Sequence, residues 1–329
     1  MRFSLRLNND LRPADYEALA QAAEAVGFDQ FWISNDLFLR SAGAILPLVA
    51  RATTSIEIGS CIFNPYTINP AELAMYAATM DELSGNRFNL GLAAGAGEFL
   101  QWVGVAQERP LAAMRETITA VRQLLAGEVA ERNGRFLQWE SQAYLRFEPP
   151  RVTPIYVGAM APKMLALAGE LGDGALPLLF PPEHFYTVRS LLEEGAGRRP
   201  GALGALDFAA CIWVSLSEDR EAARRTLAHK IAYYGGSLSP LILSKLDLVG
   251  DDFTPIQRAL NVERDEAKAT ALVDERMLRI GVVGRPADVI ARLEPLVEAG
   301  ARHLSFGPPL GPRPLEAVVL LGQVVDYFR

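Results

Sequence analysis

Short apolar runs alternate with stretches in which apolar residues recur every three or four positions, along nearly the whole chain. The first run, Phe3–Leu7, reads as a strand. It is followed by a helix over Pro13–Val26, with Leu19, Ala22, Ala23 and Val26 at helical spacing. Gly27 stands where a helix end favours a residue without a side chain. The same beat predicts further strands at Gln30–Ile33, Ile56–Gly59, Phe88–Leu92, Ile155–Gly158, Gly174–Pro177, Asp207–Ser215 and His303–Gly307. Helices are predicted between and after them, several opened by proline: Pro70–Leu83, Pro162–Leu171 and Pro182–Glu194. Val129–Tyr144 breaks the alternation and reads as a hairpin or excursion. Residues 235–277 carry helical patterns without a clear strand and read as an insertion.

Repeated strand–helix units imply parallel strands joined by helical crossovers. Eight of them predict an α/β fold, a TIM-type (β/α)8 barrel formed by one domain over residues 1–329, with the helical insertion late in the chain. The rival arrangement is two doubly wound halves meeting near Glu148–Arg151. In a barrel the chemistry collects at the C-terminal ends of the strands. That directs attention to Arg6–Asn9, Ser34–Phe38, Gly59–Tyr66, Gly91–Phe99, Gly158–Lys163, Pro177–Phe180 and Phe306–Pro309.

Composition narrows the partners. Half of the 329 residues are hydrophobic and 22% are charged, enough for a large core. The net charge is −7 with no basic stripe, so nucleic acid is not an expected partner. Apolar runs such as Ala44–Ala50 are too short to span a bilayer, and Met1–Arg6 enters a strand pattern with no apolar leader. Cys61 and Cys211 lie far apart, and His184, His229 and His303 match no metal-ligand spacing. The expectation is a soluble, cytoplasmic protein with a small-molecule substrate, no metal and no membrane contact; a homo-oligomer is compatible with the sequence.

Three strand-end segments carry candidate chemistry. In Tyr156–Met164 a strand runs into a small-residue turn and a helix opened by Pro162; such a terminus offers free N–H groups to a phosphate, and Lys163 adds a charge. An ordinary tight turn is the alternative. Gly59–Tyr66 combines small residues with an Asn64-Pro65 turn, suited either to close approach of a flat ligand or simply to reversing the chain. Gly91–Glu98 is glycine-rich, but it matches neither dinucleotide nor Walker spacing, and its glycines suit a loop folding tightly over a ligand held elsewhere.

Taken in order, these segments resemble the luciferase-like superfamily. Within it they are similar to the 5,10-methylenetetrahydromethanopterin reductases and related enzymes that use the deazaflavin coenzyme F420. The resemblance rests on Asn64-Pro65-Tyr66-Thr67 with Asn69-Pro70-Ala71, on Met80–Arg87, on Ile155–Ala159 with Ala161–Met164, and on Gly307–Pro312. It runs from about residue 2 to 327. It implies a TIM-like barrel with a late insertion and a coenzyme held at the C-terminal face. It also implies a non-proline cis peptide after strand three, here Cys61–Ile62, against the coenzyme ring. The coenzyme phosphate then lies at Gly158, Ala159, Met160, Ala161, Pro162 and Lys163, with Asn35 as a further coenzyme contact. Asp36, Asn64 and Glu98 become candidates to orient substrate or relay a proton, each with a structural cap or solvated loop position as the alternative reading. Arg6, if it faces inward, favours an anionic substrate or coenzyme tail.

The sequence departs from the methanogen reductases where they carry acids: Arg6 stands in place of a glutamate, Asn35-Asp36 in place of Asp-His, and Ala96 in place of an aspartate. The resemblance therefore implies hydride transfer with coenzyme F420 and altered active-site acids. Alternatives are an FMN-dependent monooxygenase of the same superfamily and a non-catalytic flavin- or ligand-binding barrel.

Overall fold

The computed structural model describes residues 1–178 and 181–329. Its strands are β1 (Arg2–Leu7), β2 (Gln30–Ile33), β3 (Glu57–Ser60), β4 (Phe88–Leu92), β5 (Arg132–Asn133), β6 (Gln138–Trp139), β7 (Ile155–Val157), β8 (Gly174–Ala175), β9 (Asp207–Leu216), β10 (Val282–Gly284) and β11 (His303–Leu310). The first half of the chain supplies α1 (Pro13–Ala25), α2 (Ala42–Ala52), α3 (Pro70–Ser84), α4 (Gly97–Trp102), α5 (Pro110–Leu125) and α6 (Pro162–Leu171). The second half supplies α7 (Phe185–Ala196), α8 (Arg220–Tyr234), four short helices α9 (Pro240–Leu243), α10 (Thr254–Arg258), α11 (Glu266–Ala271) and α12 (Glu275–Leu278), then α13 (Pro286–Glu298) and α14 (Pro314–Phe328).

Parallel pairing runs β1–β2–β3–β4–β7–β8–β9–β11 and returns from β11 to β1, closing an eight-stranded barrel. That closure excludes the two-halved alternative. All eight predicted strands are in the ring. β10 was not predicted; it adds three residues in parallel to the C-terminal half of β9. The excursion contains the antiparallel pair β5–β6. The glycine-rich segment starts in the strand predicted at Phe88–Leu92 and runs into a short helix that was not predicted. Gly91 lies inside β4, its N–H and C=O both bonded to Ser60 Oγ, and Gly97 opens α4. Of the Pro177–Phe180 strand end, Leu179 and Phe180 lie outside the described residues.

Period-two alternation sorts the strand side chains. On β1, Phe3, Leu5 and Leu7 enter the apolar layer under the helices, while Arg2, Ser4 and Arg6 enter the barrel. A second apolar cluster lies outside this layer. Leu227 and Ile231 of α8 pack with Leu238, Ile242, Phe253, Ile256 and Met277, so the segment after α8 has a core of its own.

The N-terminal end of the barrel is filled with polar groups that complete one another. Arg2 donates to Asp207 and to both oxygens of Glu57, at 2.8–2.9 Å. Tyr156 Oη donates to Asp207 at 2.7 Å and His303 Nδ1 lies 2.9 Å from it. Gln30 and Asn89 donate to Glu57, each at 2.8 Å. Burial alone would raise the Asp207 carboxyl, but the His303 hydrogen bond, His303 and Arg2 charges and Tyr156 bring it down to about 2.

Candidate active site

At the opposite end, the strand termini form a mouth. After β3 the chain turns through a cis peptide between Cys61 and Ile62, as the family resemblance implied. Backbone bonds hold it on both sides: Cys61 N–H donates to Ile33 O at 2.7 Å and Phe63 N–H to Gly91 O at 2.9 Å. The Ile62 side chain reaches the turn after β7, where a Cβ added to Gly158 would lie 3.1 Å from Ile62 and 3.2 Å from Ala93. Cys61, Ile62 and Gly158 thus belong to one wall. Desolvation pushes the Cys61 thiol up to about 12 despite the nearby Arg6, which removes thiolate nucleophilicity at neutral pH.

The turn after β7 ends at α6. Gly158 N–H donates to Leu92 O, Ala159 is buried and Met160 is exposed. Ala161 is the N-cap and Pro162 follows it, so no side chain caps this terminus. Pro162 has no N–H and Met164 N–H donates to Ala161 O at 2.9 Å, so the Lys163 amide is the first-turn donor left for an anion. Lys163 is exposed and lines a separate surface hollow of about 280 Å³ with Arg115, Glu170 and Arg198, between α5, α6 and α7.

Arg6 faces inward. Its Nε donates to Ser305 Oγ at 3.0 Å and its Nη2 to Ile212 O and Ser305 O at 3.2 and 3.3 Å. Gly307 makes room for this guanidinium, because a Cβ there would sit 2.4 Å from Nη2. The cation is fastened to the barrel wall and does not swing freely into the mouth.

The other predicted residues are dispersed. Asn35 Oδ1 accepts the Ala42 N–H at 3.2 Å, tying the loop after β2 to the start of α2. Asn64 Oδ1 accepts the N–H groups of Tyr66 and Thr67, an Asx-type turn, and the carboxamide lies beside Gly95. Glu98 is exposed on α4 and makes no ion pair among the described residues. Asp36 is placed by Asn9, whose Oδ1 accepts the Asp36 N–H while its Nδ2 donates to Asp36 O and Arg40 O. Burial raises the Asp36 carboxyl, against the charge of Lys230. Asp36, Asn64 and Glu98 share no hydrogen bond with one another among the described residues.

Pattern reading missed a cavity of about 980 Å³ beside the mouth, between the C-terminal ends of β1 and β11 and the helices α8 and α11. Asp10, Lys230, Tyr234, Glu266, Pro308 and Pro309 are among its lining residues. The Pro308–Pro309 bond is cis. Lys230 Nζ lies 4.1 Å from the Tyr234 ring centroid and 5.3 Å from that of Trp213. The helical spacing of Thr226, Lys230 and Tyr233–Tyr234 puts them on one face of α8, a signal available in the sequence. Among the described residues no His, Cys, Asp and Glu group suits a metal ion, and no helix is long and apolar enough to cross a membrane.

A closed parallel barrel whose C-terminal mouth combines a non-proline cis peptide, an uncapped helix start and an adjoining cavity is a ligand-binding architecture of a definite kind. Residues 1–303 match the family described as luciferase-like monooxygenase, and the chain belongs to it. Its relatives narrow the class. The chain is 31% identical to a 5,10-methylenetetrahydromethanopterin reductase of Archaeoglobus fulgidus, over 99% of this chain and 98% of that protein. It is 30% identical to an F420-dependent glucose-6-phosphate dehydrogenase of Amycolatopsis mediterranei, over 90% and 89% of the two chains. The solved structure of the coenzyme F420-dependent tetrahydromethanopterin reductase from Methanopyrus kandleri matches it with a TM-score of 0.92 at 27% identity, covering 100% and 99% of the two chains.

Proposed function

We propose that this protein is a coenzyme F420-dependent oxidoreductase that moves hydride to or from a small organic substrate. The observation that carries this reading is the end-to-end match, in sequence and in barrel geometry, to reductases named for that coenzyme. The site suits the coenzyme on its own terms. The start of α6, with no side-chain cap, offers the Lys163 amide to a phosphate, and the small residues Gly158 and Ala159 let a ligand approach the wall formed by Ile62 and Ala93. When bound, the deazaflavin supplies two-electron hydride chemistry.

The chain's own contribution is placement and exclusion of water. Gly158, Ala159, Met160, Ala161 and Pro162 hold the phosphate, with Lys163 adding positive charge from the surface side. Cys61 and Ile62 support the ring, and Asn35 and Asn64 hold the loops that border it. Asp36, whose carboxyl burial raises above the ordinary range, orients substrate or relays a proton. Glu98, exposed on α4, serves the same task. Arg6 fixes a positive charge beneath the substrate.

Within this class, the CH–NH group of a reduced pterin or folate is the substrate reading supported by the reductase relatives. The acids replaced by Arg6, Asn35-Asp36 and Ala96 set this chain apart from the methanogen enzymes and predict low turnover of methylenetetrahydromethanopterin. A double variant Arg6→Glu, Ala96→Asp then raises that turnover; wild-type turnover near 10 s⁻¹, ordinary for an enzyme, contradicts the role given to those acids.

The family description favours a second reading, an FMN-dependent monooxygenase. Mass spectrometry of the coenzyme that copurifies from a host making both flavins and deazaflavins separates the two. Coenzyme F420, with no oxygen consumption during turnover, supports the first reading; FMN with oxygen consumption replaces it.

A further inference from the structure

Lys230 carries an unusual combination of features. Its ammonium lies over the Tyr234 and Trp213 rings, and Lys230 lines the cavity of about 980 Å³. Yet among the described residues it makes no hydrogen bond and has no carboxylate within 4.0 Å. An aromatic pair positions a cation without using its N–H donors, so all three stay available to a ligand. One turn away on the same helix, Arg225 also lines the cavity and has no ion pair among the described residues. Of the facing acids, Glu266 already accepts the Tyr233 hydroxyl at 2.6 Å, and Asp10 lies at the β1 end. Pro308 and Pro309 offer flat apolar surface opposite.

The position of this cavity decides what it holds. β7, whose end carries the phosphate turn, is the fourth strand from β1 around the eight-stranded ring, so the two sites lie across the mouth from each other. An anion bound at Lys230 is therefore a second one, separate from any phosphate on α6. We propose that the cavity between β1, β11, α8 and α11 is the substrate chamber, and that Lys230 anchors a carboxylate or phosphate on a substrate with a flat ring. This rests on the oxidoreductase reading above, because it places the substrate beside the coenzyme and opposite its phosphate.

The electrostatics agree with the geometry. Desolvation lowers the Lys230 ammonium to about 8, with Asp36 and Asp10 holding it up and Arg6 pushing it down. Arg225, His229, Tyr233, Tyr234 and Glu266 are the other titratable groups lining the chamber. Lys230 is thus charged at neutral pH, and it loses its hold on an anion as pH rises past about 8.

The test is site-resolved acetylation of lysines by acetic anhydride, read by mass spectrometry, with benzoate and inorganic phosphate as probes. Coenzyme F420 binding is titrated in parallel by fluorescence. The expected result is that one probe protects Lys230 at millimolar concentration: benzoate identifies a ring carboxylate, inorganic phosphate a phosphate ester. Lys230→Met then weakens that probe roughly tenfold or more, as loss of a charged hydrogen bond does. Lys230→Arg restores binding to within a few-fold, and coenzyme affinity changes less than about twofold in either variant, below one such bond. Absence of protection by both probes overturns the proposal. An equal loss of coenzyme affinity in Lys230→Met also overturns it, by assigning the cavity to the coenzyme's own acidic tail. If the wild-type protein binds no coenzyme F420, the functional reading fails, and the protection result still judges the anion site by itself.

Discussion

The two ends of the barrel interior are built from the same strands and differ in how their charges are completed. At the N-terminal end, Arg2 on β1, Asp207 on β9 and His303 on β11 meet one another, with Tyr156, Gln30 and Glu57 closing the network. At the C-terminal end β11 presents the Pro308–Pro309 pair to a cavity, Arg6 is bonded to the barrel wall, and the Lys230 ammonium lies over the Tyr234 and Trp213 rings with no hydrogen bond among the described residues. A polar cluster whose members satisfy one another contributes to stability and offers nothing to a ligand. One with donors left over contributes little to stability and can recognise something from outside. The barrel divides these tasks along its axis, as its family of folds does in general.

Three measurements press on that division. The largest expected effect is at the closed end. Asp207→Ala leaves Arg2, Tyr156 and His303 without their shared acceptor and costs about 3–5 kcal/mol in denaturant unfolding. Coenzyme affinity of the folded fraction stays as in wild type; a large loss there would show that the two ends are not independent.

Acid probes the same residue more gently. Asp207 is held at about 2 against an ordinary 3.8, so its contribution is present above pH 3.8 and fades as pH falls toward 2. That is worth about 2 kcal/mol. The slope of stability against pH in this window should flatten in Asp207→Asn, with no effect near neutrality beyond the constant loss of the pairing.

The smallest stability effect lies at the open end. Ala161→Asp adds a capping carboxylate to α6 and stabilises the protein by about 0.5–1 kcal/mol. The same carboxylate repels the coenzyme phosphate, so affinity falls several-fold. Opposite signs in melting and coenzyme titration are the expected pattern. Unchanged affinity in the folded variant removes the phosphate from this helix.

The barrel was legible because each ring strand is a short apolar or alternating run bounded by glycine, proline or a helix pattern. β10 was not, since Val282–Gly284 is only three residues long and leads straight into Pro286. α4 was hidden because it opens at Gly97, just after Gly91 and Gly95, and is only six residues long. The small-residue turn into α6 was readable from local pattern, and the Cys61–Ile62 bond came from family resemblance, since periodicity carries no trace of it. Asp207 is bonded to Arg2, 205 positions away in the chain, which no local pattern reveals. Lys230 was passed over as one polar position on a helix; its meaning depends on Trp213, which arrives from a different strand.

The apolar cluster that follows α8 has a consequence for how such a protein is altered. The segment from Gly235 to Leu278 rests on one face of α8 through its own core, and it contributes Glu266 and Thr270 to the cavity wall. Its inner packing, which also takes in Trp213 of β9, can be kept while its cavity-facing residues are exchanged. Directed evolution of substrate preference is therefore best confined to Glu266–Thr270 and the facing positions of α8, where variation is cheap for the scaffold and immediate for the ligand.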